Sequence, residues 1–352
     1  MTKVFVIGYP GEMGGANTEC WHTIKLWRKM GIEVHLVPTW NYDPVWKEKL
    51  DSLGCVTHVS RPEKLGEIPD LAGGITVGFC NSEYIMLGPI LRELKCKMVW
   101  VNCMTFMFDY ERRFFEDFGP ADAMVYQSEF QRNEIEPQLE KCGYTPTTGH
   151  LIRGAFDYDD WEYQPQPHES GKPFVLGRAA RPDEDKWSSN TWKIYGAVQY
   201  EDKKALMLGV SDRTLAKLGP APQWASCLRP MAIHTKTYYS CLHCLLPVNG
   251  GARENWPRAG LEAFAVGVPV VAQGAWGWQE MIEHGVTGFL GQSDYELAHY
   301  AAMLAYDENL RMTLIENARK RLINEHANPE KIGNAWKTLF EKFQPNNLKK
   351  SA

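Results

Sequence analysis

What this 352-residue sequence lacks is the first guide to its nature. No apolar run approaches the roughly eighteen residues of a membrane-spanning helix. Met1 leads straight into the short run Val4 to Ile7, without the layout of a signal peptide. A soluble, cytoplasmic protein with no membrane span is therefore expected. A disulfide scaffold is not, because the nine cysteines are odd in number and lack framework spacing, which suits a reducing compartment. The one metal-like spacing, Cys241-Leu242-His243-Cys244, lies in the apolar stretch CLHCLLPV with no second close pair. Buried structural cysteines are expected there, and no metal site. Repeats and low-complexity segments are absent as well.

Basic charge is scarce in the first half. Residues 1–170 hold 16 Lys+Arg against 25 Asp+Glu, whereas 171–352 hold 22 against 18. An anionic ligand is therefore better placed in the second half, and the first half offers no bulk footprint for a polyanion.

What is present reads as two domains of ordinary size. Apolar runs at Lys3–Gly8, Glu33–Pro38, Gly74–Phe79, Lys97–Asn102 and Ala123–Gln127 predict strands separated by helical stretches. In the first of these stretches Trp21, Ile24, Leu26 and Trp27 recur at helical spacing. Strand and helix in alternation imply a parallel sheet covered on both faces. A polar, Pro-rich stretch, Gln164 to Gly171, has the composition of a linker. The alternation then restarts, with strands expected at Phe174–Gly177, Ala205–Gly209, Leu242–Val248, Val268–Ala272 and Gly288–Leu290. A helix is expected over Ala259–Val266, and an amphipathic one over Pro329–Phe343. Doubly wound domains place their ligands in a crevice.

The segment Pro247 to Leu290 carries the chemistry. Glu254 and Glu262 stand seven residues apart, the second on a helix starting near Arg258. The free N–H groups of such a helix start suit an anion such as a nucleotide diphosphate. Gly260 would remove a Cβ where a diphosphate approaches. Glu262 could hold paired ribose hydroxyls, and Glu254 the hydroxyls of a sugar.

This segment resembles the C-terminal signature of family 4 glycosyltransferases. The E-x7-E pair runs into Glu262-Ala263-Phe264-Ala265-Val266-Gly267-Val268-Pro269-Val270-Val271-Ala272. Glu280-Met281-Ile282-Glu283-His284-Gly285-Val286-Thr287-Gly288-Phe289-Leu290 then matches the family's next element. Gly177-Arg178 with Lys186 is similar to its G-R…K element, and Gly14-Gly15 to its glycine loop. Ala121 to Ser128 and Ile152 to Asp157 also align in order. The sequence departs from the pattern at Asn255-Trp256-Pro257-Arg258, which replace a Gly and an aromatic. The gap from Arg178 to Lys186 is longer than usual, and Asn102-Cys103 stand where many members carry a His.

The resemblance implies an α/β protein of GT-B fold, with two Rossmann-like doubly wound domains facing each other across a cleft. The domains would span 1–165 on the acceptor side and 172–328 on the nucleotide-sugar side, with a helix in 329–352 packing back on the first. It implies a retaining, metal-independent glycosyltransferase that moves a sugar from a UDP- or GDP-sugar to a hydroxyl acceptor. No cofactor is implied, and no Asp-x-Asp metal clamp stands in a convincing place. Glu254, Arg178 and Lys186 would be catalytic. Gly14, Gly15, Arg258, Ala259, Gly260, Glu262 and Gly277 would bind the donor, and Asn102 and Asp109 would line the acceptor side. Nucleic acid enters only as an acceptor, should the enzyme be a phage-type DNA glycosyltransferase acting on a hydroxymethylated base. The further alternatives are a sugar-nucleotide epimerase and a non-catalytic sugar-nucleotide-binding protein.

Overall fold

The computed structural model describes residues 2–11, 14–39, 44–145 and 148–344. Thus Glu12 and Met13 of the glycine loop, and the chain end from 345, lie outside the described residues. The first seven strands are β1 (Lys3–Ile7), β2 (Glu33–Val37), β3 (Val56–Thr57), β4 (Ile75–Phe79), β5 (Lys97–Val101), β6 (Ala123–Tyr126) and β7 (Gly149–Leu151). They form one parallel sheet in the order β3-β2-β1-β4-β5-β6-β7. Alternate side chains serve opposite faces, as the pleat requires. Val4 and Val6 join one core with Val34, Val77 and Val99, while Phe5 and Ile7 join another with Met98 and Trp100.

Helices cover the first of these faces. Gly15–Lys29 buries Ile24, Leu26 and Trp27, the residues whose spacing predicts it. Pro329–Glu341 buries Ile332, Trp336, Leu339 and Phe340 in the same core. Trp27 meets Trp336 edge-on at 5.0 Å and Phe340 at 5.4 Å. Gly333 leaves room for Met30 at the end of the first helix, whose sulfur would lie 2.5 Å from a Cβ there.

By contact, the chain divides into Met1–Asp157 with Pro329–Ala352, and Tyr158–Asn328. The division falls ahead of the Pro-rich stretch, which packs on the second unit. There the Gln164 N–H donates to Val266 O at 2.8 Å, the Gln166 carbonyl accepts from Arg311, and the His168 ring meets Phe174 at 4.9 Å. Composition marks that stretch as irregular backbone; partners elsewhere in the chain decide which body holds it.

The second unit repeats the plan with β8 (Phe174–Ala179), β9 (Lys203–Leu208), β10 (Ala225–Leu228), β11 (Cys244–Leu245), β12 (Val271–Gln273) and β13 (Phe289–Gly291). β10-β9-β8-β11 form one parallel sheet and β12-β13 another. A parallel bridge between Leu245 and Val270 joins the two. The strand expected over Leu242–Val248 shrinks to two residues, because past Leu246 the chain turns and the Val248 N–H bonds Leu246 O. Cys244 is buried there, with its thiol pushed up to about 12, whereas Cys241 is exposed at the end of the helix Thr235–Ser240. The expectation of buried cysteines thus fails at Cys241. The short strands β3, β7 and β10 go unsignalled in the sequence, lacking an apolar run. No helix among the described residues is long and apolar enough to cross a membrane.

Two outcomes follow. Trp336→Ala should cost about 3–5 kcal/mol, read by urea denaturation, because it empties a buried site against Trp27 and Phe340. The second concerns pH. Burial and the Arg311 charge push His243 down to about 4, and its Nδ1 accepts the Val175 N–H. An unfolded histidine takes its proton near about pH 6.5. The unfolded state therefore protonates first, and this residue's contribution is lost as pH falls from 6.5 towards 4. His243→Asn, which keeps an acceptor, should flatten that part of the stability–pH profile.

Candidate functional site

In each unit the strand order reverses beside the first strand, between β1 and β4 and between β8 and β11. A crevice opens outside the carboxyl ends of the strands at such a point. Arg178 stands at the carboxyl end of β8, 2% exposed. Its guanidinium lies over the Trp187 ring at 5.2 Å and donates through one amino group to the Lys186 carbonyl. The Nε finds no hydrogen-bond partner, and among the described residues the group forms no ion pair. Burial lowers its pKa, yet arginine stays charged at neutral pH. A buried cation without a counter-ion is costly unless an anion arrives.

Lys186 ends the short turn Glu184–Lys186 and reaches Glu254, Nζ to Oε1 3.0 Å. Three of the predicted residues, Arg178, Lys186 and Glu254, are thereby brought together. The loop carrying Glu254 is held by close backbone contacts. Ala252 N–H donates to Asp185 O at 3.0 Å, and Gly277 N–H donates to Glu254 O at 2.9 Å. A Cβ on Gly250 would lie 2.1 Å from the Trp187 carbonyl oxygen, and one on Gly277 1.6 Å from that of Asn255. Gly277 is thus explained by the approach of the Glu254 loop. Asn249, 7% exposed, donates to Ala252 O and stands 3.5 Å from Glu254 Oε1. Its support of Glu254 has no sequence signal beyond its place in the loop.

The helix Arg258–Val266 follows, begun by Pro257, with no side-chain cap and no acidic residue in its first turn. That start, at Arg258 and Ala259, favours an anion. Glu262 lies one turn in. Burial raises its carboxyl, opposed by the Arg258 charge and the Tyr239 hydroxyl beside it. A Cβ on Gly260 would meet the Met281 sulfur at 2.4 Å and Trp278 at 2.8 Å. Gly260 makes room for the neighbouring helix Gly277–Met281.

In the first unit, Gly14 precedes the helix Gly15–Lys29 with φ 95°, which favours glycine, and no side chain caps that helix. Gly15, its first residue, is exposed. Asn102 directly follows β5. It is 1% exposed, donates to Glu111 Oε1 at 2.8 Å and accepts from Met104 N–H at 2.7 Å. Its amide is occupied in shaping the turn after β5. Asp109 is exposed in the first turn of the helix Asp109–Phe118, a solvated position. A different polar cluster gathers beyond β5 and β6. Glu19, 5% exposed, accepts from Gln127 Nε2, and the Cys103 thiol stands 4.0 Å from the same carboxylate oxygen. A Cβ on Gly154 would lie 2.9 Å from it. Sequence spacing could not find this cluster, because its members come from four separate segments: the first helix and the turns after β5, β6 and β7.

Comparison with known proteins agrees with the fold. Residues 235–321 match the family model described as glycosyl transferases group 1. HepE of Anabaena, solved with UDP-glucose, superposes over 97% of this chain and 100% of its own, with 17% identity and a TM-score of 0.72. An S. aureus TarM variant, solved with UDP, fondaparinux and α-GlcNAc-glycerol, covers 97% and 100% at 12% identity and a TM-score of 0.74. Sucrose-phosphate synthase from Thermosynechococcus elongatus covers 97% and 99% at 16% identity and a TM-score of 0.70. With its strand reversals in both units, the chain shares the GT-B fold of these glycosyltransferases, and its residues 235–321 match the group 1 model.

Proposed function

We propose that this protein is a retaining, metal-independent glycosyltransferase of family 4, taking a sugar from a UDP- or GDP-sugar and passing it to a hydroxyl acceptor. The observation that carries this reading is the buried guanidinium of Arg178, which forms no ion pair among the described residues, beside the Lys186–Glu254 pair. A diphosphate supplies the missing counter-charge. Arg178, Lys186 and the helix start at Arg258 and Ala259 neutralise the charge that grows on it as the glycosidic bond breaks. Glu262 binds the ribose hydroxyls, beside Arg258 and Tyr239. Glu254, aligned by Lys186 and Asn249, takes hydroxyls of the transferred sugar. Gly14 and Gly15 offer the first helix's N–H groups to the donor. The acceptor hydroxyl attacks from the face the diphosphate leaves, and the diphosphate takes its proton. The binding of UDP-glucose by HepE and of UDP by the TarM variant supports a nucleotide-sugar donor.

A panel of nucleotide sugars, assayed for slow donor hydrolysis, tests the activity directly; hydrolysis of none would overturn it. Glu262→Ala should weaken nucleotide binding in calorimetry, and Glu254→Ala chiefly the sugar's share. Activity should persist in excess chelator, whereas Arg178→Ala or Lys186→Ala should lower it by about 10²–10³-fold. Loss in chelator with recovery on adding magnesium or manganese would sink the cationic clamp. Arg178→Met should leave the unliganded protein at least as stable to urea while weakening UDP binding, because it removes a buried, unpaired charge.

A further inference from the structure

A second candidate site lies past the carboxyl ends of β12 and β13, where Trp276 leads into Gly277, whose N–H bonds the Glu254 carbonyl. A hollow of about 190 Å³ opens there, lined among others by Gln273, Trp276, Gln292 and Asp294, with Leu297 in its floor. Three features mark it. The Gln273 side-chain oxygen is buried without a hydrogen-bond partner. Trp276, half-buried, stands in a left-handed conformation, φ 58° and ψ −147°, which a bulky residue adopts only where its surroundings impose it. Its indole N–H donates to nothing among the described residues. Gly274 leaves the space that the Gln292 amide occupies, since a Cβ there would lie 2.1 Å from Nε2.

We infer that this hollow binds a neutral oligosaccharide. An indole face suits the C–H face of a pyranose, and its N–H suits a ring or hydroxyl oxygen. Gln273 Oε1 and the Asp294 carboxylate, which accepts from the Asn190 amide at 3.3 Å, accept from sugar hydroxyls. No Lys or Arg lines the hollow, so a phosphorylated or sulfated ligand would lack a counter-charge. Tyr295 follows Asp294 and is 76% exposed, stacked on His299 at 6.0 Å. It offers a second platform, which favours a chain of sugars over a single ring. This site stands apart from the donor reading: it needs neither the diphosphate nor the Arg178 cation.

The test uses the full chain with maltotetraose and cellotetraose as probes, titrated by calorimetry and ligand-observed NMR. At least one should bind with a dissociation constant below about 10 mM, and Trp276→Ala should weaken it by at least about tenfold. Gln292→Ala and Asp294→Asn, exposed or partly exposed positions outside the strained turn, should each weaken it severalfold. They decide the matter should Trp276→Ala fail to fold. UDP affinity, measured in the same samples, should stay unchanged in all three variants. Binding of neither tetrasaccharide, or binding undiminished in the folded variants, overturns the proposal. Loss of UDP binding by the wild-type chain would instead strike at the donor reading and leave this one standing.

Discussion

The second unit is organised around one uncompensated charge. Arg178 lies buried where β8 ends, and its surroundings hold it without neutralising it. Trp187 supplies a ring face, the Lys186 backbone supplies a carbonyl, and the nearest ion pair, Lys186 with Glu254, is already made. Such an arrangement costs stability in the empty protein and is retained where a ligand brings the opposite charge. The close backbone contacts at Gly250 and Gly277 belong to the same arrangement. They press the Glu254 loop against the Lys186 turn on one side and the Gly277 helix on the other. A methyl group at either position would move the carboxylate away from the ammonium.

The first unit shows how little the shared topology says about its site. Its sheet also reverses between β1 and β4, yet among the described residues no fully buried cation stands beyond β5; Arg153, partly buried, donates to the Gln127 carbonyl. The polar groups are instead Glu19, Gln127 and the Cys103 thiol, with burial pushing that thiol well up. Beside them Glu111, its carboxyl pushed up to about 7 by burial, accepts from Trp100 and Asn102 and closes the turn at Phe108. Cys80 and Cys103 both adopt left-handed backbone just past neighbouring strands. Strain of that kind gathers where a fold positions groups for a ligand. The two crevices therefore differ in chemistry: cationic in the second unit, and acidic and thiol-lined in the first.

Much of this could be read from the sequence. Buried parallel strands must be continuous apolar runs, so β1, β2, β4, β5, β6 and β8 stood out within a residue or two of their bounds. The helix Arg258–Val266 and the E-x7-E spacing depend only on local order along the chain. Arg178, Lys186 and Glu254 followed from an ordered string of motifs, and the structure brings them into one place. The amphipathic stripe of Ile332, Trp336, Leu339 and Phe340 marked a helix with an apolar face to cover.

Other features needed the tertiary structure, because they depend on what lies opposite in space. A glycine reveals a missing Cβ but not which atom needs the room, and at Gly260 the atoms that need it belong to Met281 and Trp278. Asn102 looked available at the end of a strand, yet its amide is taken by Glu111 and Met104. Short strands such as Ala225–Leu228 owe their existence to a partner's ladder, not to their own composition. Glu19, Gln127 and Gly154 meet only after the chain has crossed the sheet. Sequence determined the local preferences and the charges; packing decided which of those charges were left without a partner, and it is an unpartnered charge that can bind.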